Sequence, residues 1–95
     1  MHKKEIDVEG ATLPFYSYEI EGVRYYEFDA SESSPPEPMM NAMRGLALLS
    51  HSSDTLVMIN AQEPYPFYAR IQNDFQWSVE TLPSGDVKIF FQRKH

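Results

Sequence analysis

Two glutamates, Glu37 and Glu63, each sit among prolines, in "PPEP" over residues 35–38 and "EPYP" over residues 63–66. Proline is tolerated in the first turn of a helix, where backbone N–H groups have no intrahelical acceptor, so both stretches read as helix starts. A carboxylate there is favoured by the helix dipole, and capping of this kind accounts for both acids. The sharper reading pairs the two acids at adjacent helix N-termini, where they could act as general acid and base. Asp29, at the end of a strand, would fix the following loop to the helix by hydrogen bonds, with ligand binding as its second role.

The rest of the chemical inventory is thin. The histidines are His2, His51 and His95, with no pair at metal-ligand spacing, so no metal site is expected. There is no cysteine, which removes disulfides, thiolate ligands and every thiol nucleophile. No glycine-rich phosphate loop and no Ser/His/Asp arrangement can be read from the spacing. No cofactor and no enzymatic activity are therefore expected.

Groups at helix starts are useful only if a sheet holds the helices. "LPFYSYEI-EG-VRYYEFDA" reads as a β-hairpin closed by Glu21-Gly22, with glycine supplying a left-handed position. That loop sets Ile20 opposite Val23, Glu19 opposite Arg24 and Tyr18 opposite Tyr25, two apolar pairs and one of opposite charge. Residues 35–50 read as a helix whose apolar stripe is Met39, Ala42, Met43, Leu46 and Leu49, with Gly45 marking a close backbone approach. Two helix starts are open: Pro36 as first helical residue with Pro35 at the cap, or Ser34 as cap with Glu37 closing a capping box. "TLVMIN" reads as a buried central strand and 65–73 as a short second helix. Two alternating strands, with Phe75, Trp77 and Val79 and then Val87, Ile89 and Phe91 inward, flank a "PSGD" turn.

The order is β-β-α-β-α-β-β. Right-handed crossovers place both helices on one face of a mixed sheet, an α/β (α+β) two-layer sandwich with Trp77, Ile89, Met43 and Leu46 buried. The 95 residues fit a single domain, 1–95, with 1–27 as N-terminal extension and start of the hairpin and 28–95 as core.

"FDASESSPPEPMM", residues 28–40, resembles the opening of TusA-like (SirA-like) sulfur-carrier domains, which run Leu-Asp-Ala, a short loop, then Cys-Pro-x-Pro and a helix. Phe28, Asp29 and Ala30 stand at the Leu-Asp-Ala positions, and Pro36, Glu37 and Pro38 at Pro-x-Pro. "DTLVMIN", residues 54–60, is similar to the family's Gly-Glu-Thr-Leu strand. The resemblance spans residues 28–95 and implies a β-α-β-α-β-β sandwich, with the strand at 13–20 added on the sheet edge. The persulfide-bearing cysteine of that family falls on Pro35, so its sulfur-carrier chemistry is excluded. A cysteine-less, uncharacterised branch with Pro-Pro-Glu-Pro in that place is closer, and "EPYPFY" resembles its acidic-Pro-x-Pro-Leu-Tyr segment. A histidine common there before the acid is Gln62 here, which removes a metal or haem ligand.

The resemblance implies a non-catalytic binding or regulatory module that recognises a protein partner or small ligand near the helix N-termini. The candidate residues are Asp29, Pro35, Pro36, Glu37, Pro38, Gln62 and Glu63. The alternative is an accessory subunit of a sulfur- or redox-related enzyme system whose chemistry comes from a partner or cofactor. Tyr16, Tyr18, Tyr25 and Tyr26 form either an interaction surface or ordinary hairpin packing. An edge strand rich in tyrosine, with no lysine between residues 5 and 87, favours partner docking or self-association. The formal net charge of -6 argues against nucleic acid and anionic membranes as partners. "MHKKEIDVEG" has no apolar segment of signal-peptide type, so a cytoplasmic location is expected.

Overall fold

A computed structural model describes residues 2–94; Met1 and His95, the latter expected in a basic tail, lie outside the described residues. The hairpin forms in the expected register. β2 (Phe15–Ile20) and β3 (Val23–Asp29) pair with Tyr18 opposite Tyr25, Glu19 opposite Arg24 and Ile20 opposite Val23. Glu21 and Gly22 both take positive φ, 51° and 82°, as a tight two-residue turn between right-twisted strands requires. The remaining elements are β1 (Lys4–Ile6), α1 (Glu37–Leu46), β4 (Thr55–Asn60), α2 (Tyr65–Ile71), β5 (Phe75–Thr81) and β6 (Val87–Arg93). They build one six-stranded mixed sheet in the order β1-β2-β3-β4-β6-β5, in which only β3 and β4 run parallel.

The pairing carries two apolar rows across the sheet. Tyr26, Leu56, Phe91 and Trp77 form one, and Phe28, Met58, Ile89 and Val79 the other. Ala42 and Leu46 of α1 and Phe67, Tyr68 and Ile71 of α2 pack on these rows, so both helices cover the same face. Phe67 meets Phe91 edge-on at 5.8 Å and Tyr68 stacks on Trp77 at 4.4 Å. Burial of each large apolar side chain contributes about 1.5–3 kcal/mol, so this single layer supplies the main stabilisation. No helix among the described residues is long and apolar enough to cross a membrane.

Several expectations are corrected. The strand expected at 13–20 is not at the edge: β1 pairs with it, Lys4 opposite Ser17 and Ile6 opposite Phe15. "KEI" has one apolar residue and no alternation to reveal a strand; its backbone forms the ladder while Lys4 and Glu5 stay exposed. Met43 is not buried but 46% exposed, and Trp77 is only half-buried. α1 is turned so that Pro38, Asn41, Ala42, Gly45 and Leu46 face inward. A Cβ on Gly45 would lie 2.6 Å from a Leu56 methyl and 3.1 Å from the Phe15 ring, so the helix backbone approaches the sheet through its glycine. Asn41 is buried because its amide binds the incoming chain: Oδ1 accepts from the Thr12 and Leu13 N–H groups, and Nδ2 donates to Thr12 Oγ1 and the Glu37 carbonyl.

The helix start also differs. Pro36, not Pro35, is the N-cap, and α1 begins at Glu37 with Pro38 in its first turn. No capping box forms, since Ser34 gives only its carbonyl, which accepts from the Glu37 N–H at 3.0 Å. The Pro35–Pro36 peptide bond is cis.

Candidate functional site

β3 and β4 run parallel, so their C-terminal ends lie at the same end of the sheet, and each feeds a helix from there. This brings the segments 29–38 and 60–64 to the same end of the molecule. Asp29 closes the loop as expected: its Oδ1 accepts from the Ser31 N–H at 2.9 Å, and the Ala30 N–H reaches across to the Ile59 carbonyl at 2.7 Å. Gln62 is exposed, and its carbonyl accepts from the Asn60 side chain at 2.8 Å.

The two glutamates are engaged separately. Glu37 Oε2 accepts from Thr12 Oγ1 at 2.7 Å and so ties α1 to the chain before β2. Glu63 accepts from two hydroxyls of the helix it precedes, Tyr68 at 3.0 Å and Tyr65 at 3.2 Å. Neither makes a side-chain cap, and no described bond joins one to the other. Burial, reinforced by the bond to Glu63, pushes the Tyr68 hydroxyl well above its ordinary pKa; the charge of Glu63 raises Tyr65. These acceptor roles hold tyrosines as donors at neutral pH, and a proton relay between the two acids has no bonded path here.

The tyrosines divide between two faces. Tyr26 turns toward the helices and packs on the core. Tyr16, Tyr18 and Tyr25 lie on the other face, which no helix covers. Tyr18 is itself buried: its ring stacks on Tyr25 at 5.1 Å, and its hydroxyl donates to Glu27 Oε1 at 2.7 Å. Lys3 donates to the other Glu27 oxygen at 3.0 Å and sits 5.2 Å over the Tyr18 ring. Burial and then Glu27 push the Tyr18 hydroxyl far above its ordinary value.

No family model, no curated protein and no solved structure matches the chain. Among the described residues, no group of three or more His, Cys, Asp or Glu is placed to hold a metal ion. His2 and His51 are exposed and apart from the helix starts.

One feature was missed in the sequence. The turn of α1 that buries Asn41 and Gly45 drives methionine outward. Met39, Met40 and Met43, with Pro36 and Ala47, line an open groove of about 530 Å³. Arg44, from α1, and Arg70, from α2, complete it. Met40 and Met43 are two of only four large apolar side chains exposed among the described residues. Both arginines are exposed, and the described ion pairs, Lys3–Glu27 and Arg24–Glu19, include neither. The groove starts at Pro36, one of the candidate residues, but Gln62 and Glu63 do not line it. The spacing set Met39 and Met43 in one inward stripe with Ala42, Leu46 and Leu49; the buried Asn41, which carries no apolar signal, turns the helix so that Met43 faces out.

Proposed function

We propose that this chain is a non-catalytic binding module, on a scaffold of the TusA-like kind, that recognises a protein partner along α1 from Pro36 outward. The observation that carries this reading is the methionine groove with its two arginines. Methionine is flexible and polarisable, so a surface rich in it adapts to varied apolar anchors. Among the described residues Arg44 and Arg70 pair with no carboxylate, in a chain of formal charge -6, so the groove is a cationic site on an acidic molecule. Its complement is a segment with an apolar stripe bordered by Asp or Glu. A small molecule fits less well, because sites for such ligands enclose most of their surface and this groove is open.

Peptide display tests the reading. Selection on the wild-type chain should enrich peptides with apolar residues at helical spacing flanked by acids. A Met40→Glu/Met43→Glu variant keeps the fold, since both side chains are exposed. It should weaken the selected peptides by roughly tenfold or more, the loss expected of an interface anchor. Arg44→Glu should weaken them as well. No enrichment, or peptides indifferent to these substitutions, would discard the proposal.

A further inference from the structure

The two edges of the sheet are protected unequally. β1 is three residues long, with Lys4 and Glu5 exposed along it and exposed Lys3 just before it. A short, charged strand of this kind blunts an edge against pairing. β5, at the other edge, is seven residues long, "FQWSVET", with no Pro, Lys or Gly. Its register with β6 runs without a bulge from Phe75 opposite Arg93 to Thr81 opposite Val87. No described hydrogen bond reaches its outer side, where alternate N–H and C=O groups face solvent.

We infer that β5 pairs antiparallel with β5 of a second copy, across a two-fold axis at Ser78, to join the two sheets into one. A two-fold axis normal to the sheet keeps each side chain on its own face, so facing residues have the same parity. Ser78 is the midpoint of the strand, and that axis pairs all seven residues. Trp77 then faces the partner's Val79 on the helix-covered side. Both are half-buried in one copy, and the pairing extends the apolar row already formed with Phe91 and Ile89. On the other side, exposed Gln76 faces the partner's Glu80, an amide donor opposite a carboxylate. No like charges meet, and Glu80 lies opposite Lys88 within its own sheet. Moving the axis to Trp77 would set Asp74 against the partner's Glu80 and leave two residues of the strand without strand partners. The match of the strand to its own reverse, Trp77 against Val79 and Gln76 against Glu80 with no like charges opposed, is what selects a second copy of this chain over an unrelated strand.

The chain has no cysteine, so a single introduced thiol gives a clean test. Ser78→Cys puts a thiol opposite itself across the axis, at a Cα separation of about 4.5–5.5 Å that a disulfide spans. Under a mild oxidant it should cross-link to a dimer much faster than Ser84→Cys, a control in the exposed turn. Sedimentation of the unmodified chain from micromolar to millimolar concentration should show a monomer–dimer equilibrium. Ser78→Lys, which sets two ammonium groups opposite each other, should raise its dissociation constant by roughly tenfold. Ser78 is exposed, so both variants keep the fold of one copy, which far-ultraviolet circular dichroism checks. A monomer at every concentration overturns the inference. So does a dimer unaffected by Ser78→Lys, or equal cross-linking of the two thiols.

Discussion

Asp54 is the buried acid on which the loop after α1 closes. Its Oδ2 accepts from the Ser50 N–H at 3.0 Å, the His51 N–H at 3.1 Å and the Ser50 hydroxyl at 3.2 Å. Burial pushes its carboxyl up, but these donors more than offset that and hold it below the usual range. A folded-state pKa below the unfolded one stabilises the fold above the ordinary carboxylate value of about 4. That contribution fades as pH falls through the folded value. Asp54→Asn should therefore cost about 1–3 kcal/mol at neutral pH in urea unfolding, and the difference from wild type should shrink in acid. A difference constant with pH would mean that the charge plays no part. The chemistry of single residues was only partly legible in the sequence. Asp29 could be assigned to its loop because an aspartate's reach to a nearby N–H is local. The Glu37 bond to Thr12 could not, because it depends on how the N-terminal segment returns to α1.

At the scale of the elements, α1 approaches β4 closely through Gly45. Alanine is the better helix former by about 1 kcal/mol, yet its methyl would press on Leu56 and Phe15, both buried. Gly45→Ala should thus destabilise by about 1–2 kcal/mol, read as a lower thermal midpoint; a gain in stability would show that the layer has slack there. The hairpin register was legible because a two-residue loop ending in Gly22 fixes which residues face each other. The face of α1 was legible in part: Ala42, Leu46 and Leu49 of the expected stripe are buried and Gly45 approaches the sheet as expected, but the inward place given to Met43 is taken by Asn41, which adds nothing to the apolar periodicity. β1 was hidden for a related reason: an edge strand holds by backbone bonds, and its exposed lysine and glutamate carry no strand pattern. These two omissions altered the functional reading most, since one moved the free edge to β5 and the other opened the methionine groove.

Across the whole molecule, the sheet has helices on one face and none on the other, where Val57 is nonetheless fully buried between its neighbours. Formal charge is -6; Lys3 is paired with Glu27, while Arg44 and Arg70 line the groove. The strand order has one more implication, for the time course of folding. β1–β2, β2–β3 and β5–β6 join strands consecutive in sequence, whereas β3–β4 and β4–β6 close long stretches of chain, and both involve β4. Loop closure must precede the contacts that reward it, so β4 is where the two hairpin ends of the chain are brought into register. A substitution in β4, such as Val57→Ala, should slow refolding, whereas Ile6→Ala in the peripheral β1 should chiefly speed unfolding. Stopped-flow chevrons of the two variants would reveal the opposite assignment if β1 joined early. With β1 forming late, this outermost strand at the N-terminal side behaves as a latch, fastened after the barrier is crossed and the first to be released.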